Sequence, residues 1–134
     1  MGQPAARQGD GVTGVDTHIV AVPAPPGPPV PTPLPHPFSG TLLQSLSRDV
    51  LIDGLPAATV GGIAVNQPPH IPTSPGTAFV SPPRNQGTVQ VGSTTVFIDG
   101  QPAARMGDPV LTCNDPVDAP VGSIVAGSPT VLIG

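Results

Sequence analysis

Residues 95–108 read TVFIDGQPAARMGD, and residues 49–62 read DVLIDGLPAATVGG. Residues 2–10, GQPAARQGD, repeat the second half of this unit, and residues 130–134, TVLIG, supply its first half. Joining the end of the chain to its start therefore recreates a third full unit. Three copies that close into a ring predict a pseudo-threefold axis, with the first and last segments side by side at the seam.

A further apolar run precedes each copy of the unit, so that two apolar runs occur in succession. Residues 87–98 read GTVQVGSTTVFI, residues 122–133 read GSIVAGSPTVLI, and residues 40–52 read GTLLQSLSRDVLI. Two apolar runs around a turn-forming stretch predict that the runs pair with each other as a β-hairpin. No helical apolar periodicity of useful length occurs, so we expect almost no helix. The predicted fold class is all-β, with short antiparallel β-hairpins in a single pseudo-threefold domain over residues 1–134.

The composition restricts the alternatives. The chain has 17 Gly and 22 Pro among 134 residues, and one alternative interpretation of this composition is a disordered proline-rich linker. That reading describes the stretch 22–38, which we expect to be a Pro-rich loop, but it does not explain the triplicate units. Only 9% of residues are charged, whereas disordered segments usually carry high charge. A generic β-solenoid is the other structural alternative, and ring closure at three copies argues against it.

The side chains available for a core are small. The chain has no Trp, no Tyr and three Phe, so burial alone predicts marginal stability and the domain needs a further constraint. A net charge of −4 with no basic stripe argues against nucleic-acid binding. No apolar segment is long enough to cross a bilayer, so no stable membrane insertion is expected. The first residues lack the apolar region of a signal peptide, which predicts a cytoplasmic protein that is carried out by something else.

Three histidines and one cysteine form a complete set for a closed tetrahedral zinc site. His18 follows Pro4 by fourteen positions, His70 follows Pro56 by the same number, and Cys113 lies in the corresponding loop of the third copy. His36, at the end of the Pro-rich stretch, supplies the fourth ligand. The predicted metal ligands are His18, His36, His70 and Cys113. Four protein ligands leave no position for water, which indicates one structural Zn²⁺ rather than a catalytic one. The alternative is three unrelated surface histidines and a buried cysteine.

The segments GQPAARQGD, IDGLPAATVGG and IDGQPAARMGD resemble the repeated motif of the PAAR family, named for Pro-Ala-Ala-Arg. The resemblance implies a short cone of β-hairpins with zinc near its apex, held by three His and one Cys. It also implies a spike tip that caps a trimeric VgrG-like protein, one copy per trimer, in type VI secretion or a related extracellular injection system. The middle copy departs from the motif, because Thr59 stands where Arg is expected.

The predicted function is mechanical rather than enzymatic. The tip concentrates the force of the contracting sheath and helps to pierce the target envelope. A hydrolase is disfavoured, because there is no Gly-x-Ser-x-Gly motif and one metal site uses all three histidines. The alternative function is an effector-loading adaptor that links toxin cargo to the spike. We expect the chain to be a monomer by itself, stored in the cytoplasm and delivered outside the cell with the injection particle.

Overall fold

The computed structural model describes residues 2–134 and contains no helix in that range, so no helix there is suited to crossing a membrane. Thirteen strands account for its regular structure, and all their pairings are antiparallel. The strands are β1 (Gln3–Pro4), β2 (Gly11–Val22), β3 (Val30–Gln44), β4 (Leu51–Ile52), β5 (Leu55–Pro56), β6 (Ile63–Asn66), β7 (Ala78–Phe79), β8 (Gln86–Val89), β9 (Phe97–Ile98), β10 (Gln101–Pro102), β11 (Pro109–Thr112), β12 (Ala119–Ile124) and β13 (Leu132–Ile133). The all-β fold class is confirmed.

The three Pro-Ala-Ala segments meet in a closed triangle of backbone hydrogen bonds. The amide of Ala6 donates to the carbonyl of Ala104 at 3.0 Å, that of Ala104 to Ala58 at 2.9 Å, and that of Ala58 to Ala6 at 3.0 Å. All three alanines are fully buried. The side chains at the centre must be small because three backbones converge there. This triangle is the pseudo-threefold axis that the repeats predict.

Around the triangle, each copy contributes a short strand pair. β4 pairs with β5 and β9 with β10 across Asp-Gly turns, in which Asp53 has φ 53° and Gly54 φ 79°. Positive φ at both central residues is the geometry of a type I′ turn, which Asp-Gly favours. In the third copy β13 pairs with β1, so the last and first strands close the ring. Alternate residues of these strands point in opposite directions. The inward isoleucines pack on three alanines in a small core made of Ile52, Ile98, Ile133, Ala5, Ala57 and Ala103.

The predicted pairing of the two apolar runs in each unit is wrong. The first run instead pairs with the strand that follows the preceding Pro-Ala-Ala segment, giving the hairpins β2–β3, β6–β8 and β11–β12. The second run pairs across the Asp-Gly turn. A buried serine separates the two runs: the Ser93 hydroxyl accepts the amides of Thr95 and Val96, at 3.1 and 2.9 Å. This side chain–backbone turn takes the amides out of strand pairing, and Ser47 and Ser128 do the same in the other copies.

The three long hairpins close into one sheet. Their strands follow the order β12–β11–β8–β6–β3–β2, and β2 pairs again with β12, while β7 adds to the free edge of β2. The enclosed core is aliphatic apart from Phe38 and the thiol of Cys113. Because every second residue of β2 and β3 faces this interior, the sheet carries a row of inward positions from the triangle towards the hairpin turns.

The Pro-rich stretch 22–38 is largely strand rather than loop. β3 begins at Val30, and only residues 23–29 form the turn that joins it to β2. The prolines of β3 occupy alternate, outward-facing positions, Pro31, Pro33, Pro35 and Pro37. This part of β3 pairs only with β2, so it is an edge, where proline is tolerated because its missing N–H faces away from the ladder.

The polar contact made by the Asp of each Asp-Gly turn differs between the first two copies. Thr130 donates to Asp53 at 2.5 Å, but at the equivalent place in the second copy Asp49 faces Asp99. The hydrogen bond to Asp99 and the repulsion from its charge raise the pKa of Asp49 above its ordinary value of 3.8. The folded state therefore holds this proton more tightly than the unfolded chain, and stability falls as pH rises through the raised pKa.

We expect Asp49→Thr to raise the melting temperature modestly at pH 7, because it removes two facing carboxylates and restores the contact that Thr130 makes. The gain should vanish near pH 3.5, where a protonated Asp49 can itself donate to Asp99. Thermal melts at the two pH values check this. An equal gain at both would show that the charge of Asp49 is irrelevant.

Candidate metal centre

The inward-facing residues of β2 and β3 change from apolar to polar with increasing distance from the alanine triangle. Val12 and Phe38 belong to the apolar core, and Asp16, His18 and His36 follow on the same inner face. At about 3.3 Å per residue, His18 lies roughly 20 Å along the strand from Val12. All three polar side chains are at most 1% exposed. The site is thus buried at the hairpin end of the domain, away from the triangle.

Four potential ligand atoms converge there. The Oδ2 of Asp16, a ring nitrogen of His18, a ring nitrogen of His70 and the Sγ of Cys113 all lie within 4.8 Å of one another. The Nε2 of His70 is 2.8 Å from the Asp16 Oδ2, and the Sγ of Cys113 is 3.4 Å from the same oxygen. The Sγ lies 3.8 Å from the His18 Nε2. The structure therefore brings together three of the four predicted ligands, His18, His70 and Cys113. Asp16, which the sequence did not predict, joins them.

His36 packs against this group without contributing a free ring nitrogen. Its ring centroid is 5.3 Å from that of His18 and 5.6 Å from that of His70. Its Nδ1 donates to the carbonyl of Leu34 at 2.9 Å, and its Nε2 accepts the amide of Thr73 at 3.1 Å. The role of His36 as fourth ligand stays a prediction, and it requires the Thr73 amide to give up this contact.

A second carboxylate supports His18 from behind. The Oδ2 of Asp115 lies 3.4 Å from the His18 Nδ1 and accepts the amide of Ile19 at 2.9 Å. Within residues 2–134, the Nδ1 is the buried side-chain nitrogen or oxygen left without a hydrogen bond. A proton on Nδ1, facing Asp115, leaves Nε2 unprotonated and aimed at the group. Carboxylates commonly orient metal-bound histidines in this way.

The ionisation of the group suits a metal ion. Burial lowers the pKa of His18, outweighing the attraction of Asp115, so the imidazole is neutral and able to bind a metal. Burial and the nearby charge of Asp16 raise the pKa of the Cys113 thiol from 9.0 to about 11. Neutral imidazole, thiol and carboxylate in one closed cluster are the donors of a four-coordinate divalent site. The group is therefore able to hold one metal ion.

The raised thiol pKa makes metal binding a proton-releasing reaction. Below about pH 9 Cys113 carries its proton in the metal-free protein, and a metal binds only the thiolate. We expect Zn²⁺ binding at pH 7 to release at least one proton, so that affinity rises about tenfold per pH unit for each proton released. Calorimetry in two buffers of different ionisation enthalpy measures the number. Cys113→Ser should lose most of its zinc-binding heat together with this proton release, and an unchanged proton count would contradict this thiol's involvement.

Asp16 and Asp115 are not among the ligands predicted from the sequence, because histidine and cysteine are the residue types typical of a closed structural zinc site. A signal was present in the segment Asp16-Thr17-His18, which puts a carboxylate and an imidazole on one face as soon as it forms a strand. Asp115 offers no such signal. Asp115 reaches His18 only because the β11–β12 hairpin packs beside β2. The same packing brings Cys113 to Asp16, which lies 97 positions earlier in the sequence.

The fold and the site together define an all-β protein with internal pseudo-threefold symmetry and a buried cluster able to hold a metal. The family model of the PAAR motif matches residues 35–110 and again residues 80–134, which together span most of the chain. The chain therefore belongs to the PAAR-motif family, and this membership associates it with the spike tip of type VI secretion systems. No curated protein matches the chain.

Proposed function

We propose that this protein caps a trimeric VgrG-like spike of a contractile injection system, either type VI secretion or an extracellular phage-like system, and helps to pierce the target envelope. One observation carries the docking part of the proposal. Leu51, Phe97 and Leu132 occupy equivalent positions in the three copies and are 60%, 58% and 63% exposed. They form a threefold set of apolar side chains around the alanine triangle.

These three side chains are exposed for a local reason. Each is the first residue of a two-residue strand whose second residue is a buried isoleucine, so the leucine or phenylalanine points out of the fold. Large apolar side chains are exposed at the same position of all three copies, and exposed apolar groups that recur with the symmetry of the fold suit a binding site. A true trimer presents three identical surfaces around its axis, and a monomer with three similar units can match all three at once. We call Leu51, Phe97 and Leu132 the apolar triad.

The other end of the domain supplies stiffness. In this proposal one Zn²⁺ binds His18, His70 and Cys113, with a fourth ligand that is either His36, from the sequence, or Asp16, from the structure. The ion ties together residues from three hairpins. A structural zinc contributes on the order of 10 kcal/mol to small zinc-dependent domains. The protein performs no catalysis and leaves the cytoplasm on the spike.

Mixing the full chain with its trimeric spike and measuring the mass of the complex tests the proposal. We expect one chain per trimer, because all three copies of the unit engage the three spike subunits together. Three chains per trimer would overturn the symmetry argument. A toxin that copurifies with this chain in the absence of the spike would instead favour the effector-loading adaptor.

A further inference from the structure

The proline-rich end of the β2–β3 hairpin belongs neither to the metal cluster nor to the apolar triad. It comprises residues 22–31, VPAPPGPPVP, which we call the proline arm. We propose that the proline arm makes shallow, reversible contact with a phospholipid bilayer of the target envelope, at the boundary between headgroups and acyl chains. This inference rests on the proposed function, because it takes the end opposite the docking surface to be the end that meets the target.

The proline arm lies at the far end of the domain from the alanine triangle. β2 begins at Gly11, passes the metal cluster at His18 and ends at Val22. Val22 is thus about 13 Å beyond His18, at 3.3 Å per residue. β7 pairs with β2 only at Val20 and Ala21, and residues 23–31 are all exposed. A protein docked through its triangle therefore points this arm away from the spike.

The proline arm and its neighbours in the sequence carry no formal charge. The stretch between Asp16 and Arg48 contains no Asp, Glu, Lys or Arg. Its titratable side chains are His18 and His36, which are buried. The arm therefore offers no ion pair to a partner. It also loses no hydration of a charged group when it leaves water, which is the largest cost of entering an apolar medium.

Proline also removes most of the backbone donors from this arm. In the turn 23–29 only Ala24 and Gly27 have an N–H, and that of Gly27 donates to the carbonyl of Ala24 at 2.9 Å. Along β3, Pro31 and Pro33 put their missing N–H at the free edge. An unpaired N–H is rarely tolerated away from water, whereas an underused carbonyl is tolerated more often. The proline arm thus leaves water at less cost than an ordinary hairpin end.

The same features favour a bilayer over a protein partner. A strand added to the free edge of β3 would find no N–H at Pro31 or Pro33, so it could form only half of its hydrogen bonds. Domains that recognise proline-rich segments bind a polyproline II helix, whereas Val22 and Val30 are cross-strand partners in a β-hairpin. The free carbonyls limit the depth of contact, since an open sheet edge is not stable in hydrocarbon.

Fluorescence of the zinc-loaded full chain tests the inference. Ala24→Cys places a thiol in the exposed turn for an environment-sensitive dye, while the native Cys113 is buried. With vesicles of phosphatidylcholine, which has no net charge, we expect a blue shift and quenching by a lipid that carries its quencher near the headgroup. No shift would overturn the inference. That result would leave the docking proposal intact, because the mass of the spike complex tests docking separately.

Matched variants with the same dye separate the arm from the label. Val22→Lys with Val30→Glu places opposite charges across the hairpin, which keeps the cross-strand contact favourable. We expect this pair to weaken partitioning into the vesicles by at least about tenfold, because charged side chains enter a bilayer poorly. Equal partitioning with and without the charge pair would show that the dye binds, and the inference would fail. Circular dichroism and zinc content check the fold.

A second pair of substitutions tests the missing donors. Pro31→Ala with Pro33→Ala adds two N–H groups to the free edge of β3 while the side chains stay small and apolar. We expect a several-fold loss of partitioning, because each new N–H must leave water without a partner. An unchanged partition coefficient would contradict the role assigned to proline in this contact.

Discussion

Cys113→Ser is expected to remove the stabilisation that zinc gives this protein. In the presence of a chelator the variant and the wild type should melt at similar temperatures, because serine fills nearly the volume of the buried thiol. With zinc at 1,000 times its dissociation constant, the wild type should gain about 4 kcal/mol in free energy of unfolding. The variant should gain little, since a hydroxyl is a poor replacement for a thiolate ligand.

The comparison separates metal binding from packing. A substitution that only disturbed the core would lower the melting temperature equally with zinc and with chelator. Ser39→Ala, on the exposed face of β3 close to the site, is a suitable control and should keep the full zinc response. Equal zinc-dependent gains in the wild type and Cys113→Ser would show that Cys113 does not hold the ion, and the metal-centre proposal would then fail.

The sequence predicts the pseudo-threefold ring because the ring depends on short-range chemistry that recurs. Asp-Gly turns, the small Ala-Ala pair and the isoleucine before each turn are all visible in TVFIDGQPAAR and its copies. Joining TVLIG to GQPAAR likewise predicts the β13–β1 pairing. These features need no knowledge of distant contacts.

The pairing of the longer strands was not predictable in the same way. The apolar runs of residues 87–98 look like two halves of one hairpin, but a buried serine hydroxyl takes the amides of the intervening turn. Proline in Val30–Gln44 indicated a loop, yet alternate prolines fit an edge strand. Which edge a proline faces is a property of the assembled sheet.

The candidate site shows the same division. The equivalent positions of the repeats predict His18, His70 and Cys113 as metal ligands, and the structure brings these three residues together. Asp16 acquires its place only from the inward alternation of β2, and its register opposite His36 follows from the β2–β3 pairing. Which of Asp16 and His36 faces the ion therefore depends on hydrogen bonds from Thr112 and Thr73, far away in sequence.

Replacing the apolar triad with alanine is expected to abolish stable capping of the spike. Each large apolar side chain contributes about 1.5–3 kcal/mol when fully buried. Removing Leu51, Phe97 and Leu132 together should therefore weaken binding by at least about a thousandfold, at 1.4 kcal/mol per factor of ten. The fold should tolerate the change, because all three side chains are exposed in the free protein. Titration of the triple variant against the trimeric spike measures the loss.

A matched triple variant locates the docking face. Val15, Ile71 and Val117 are also exposed apolar residues, but Val15 and Ile71 lie beside the metal centre, each within one position of a residue of the cluster, and Val117 lies in the loop just after Asp115. Alanine at these three positions should leave spike affinity unchanged. Because the spike subunits are identical, single substitutions in the triad should give losses of similar size, with Phe97 the largest. If the control variant lost as much affinity as the triad variant, the spike would not dock on the alanine-triangle end.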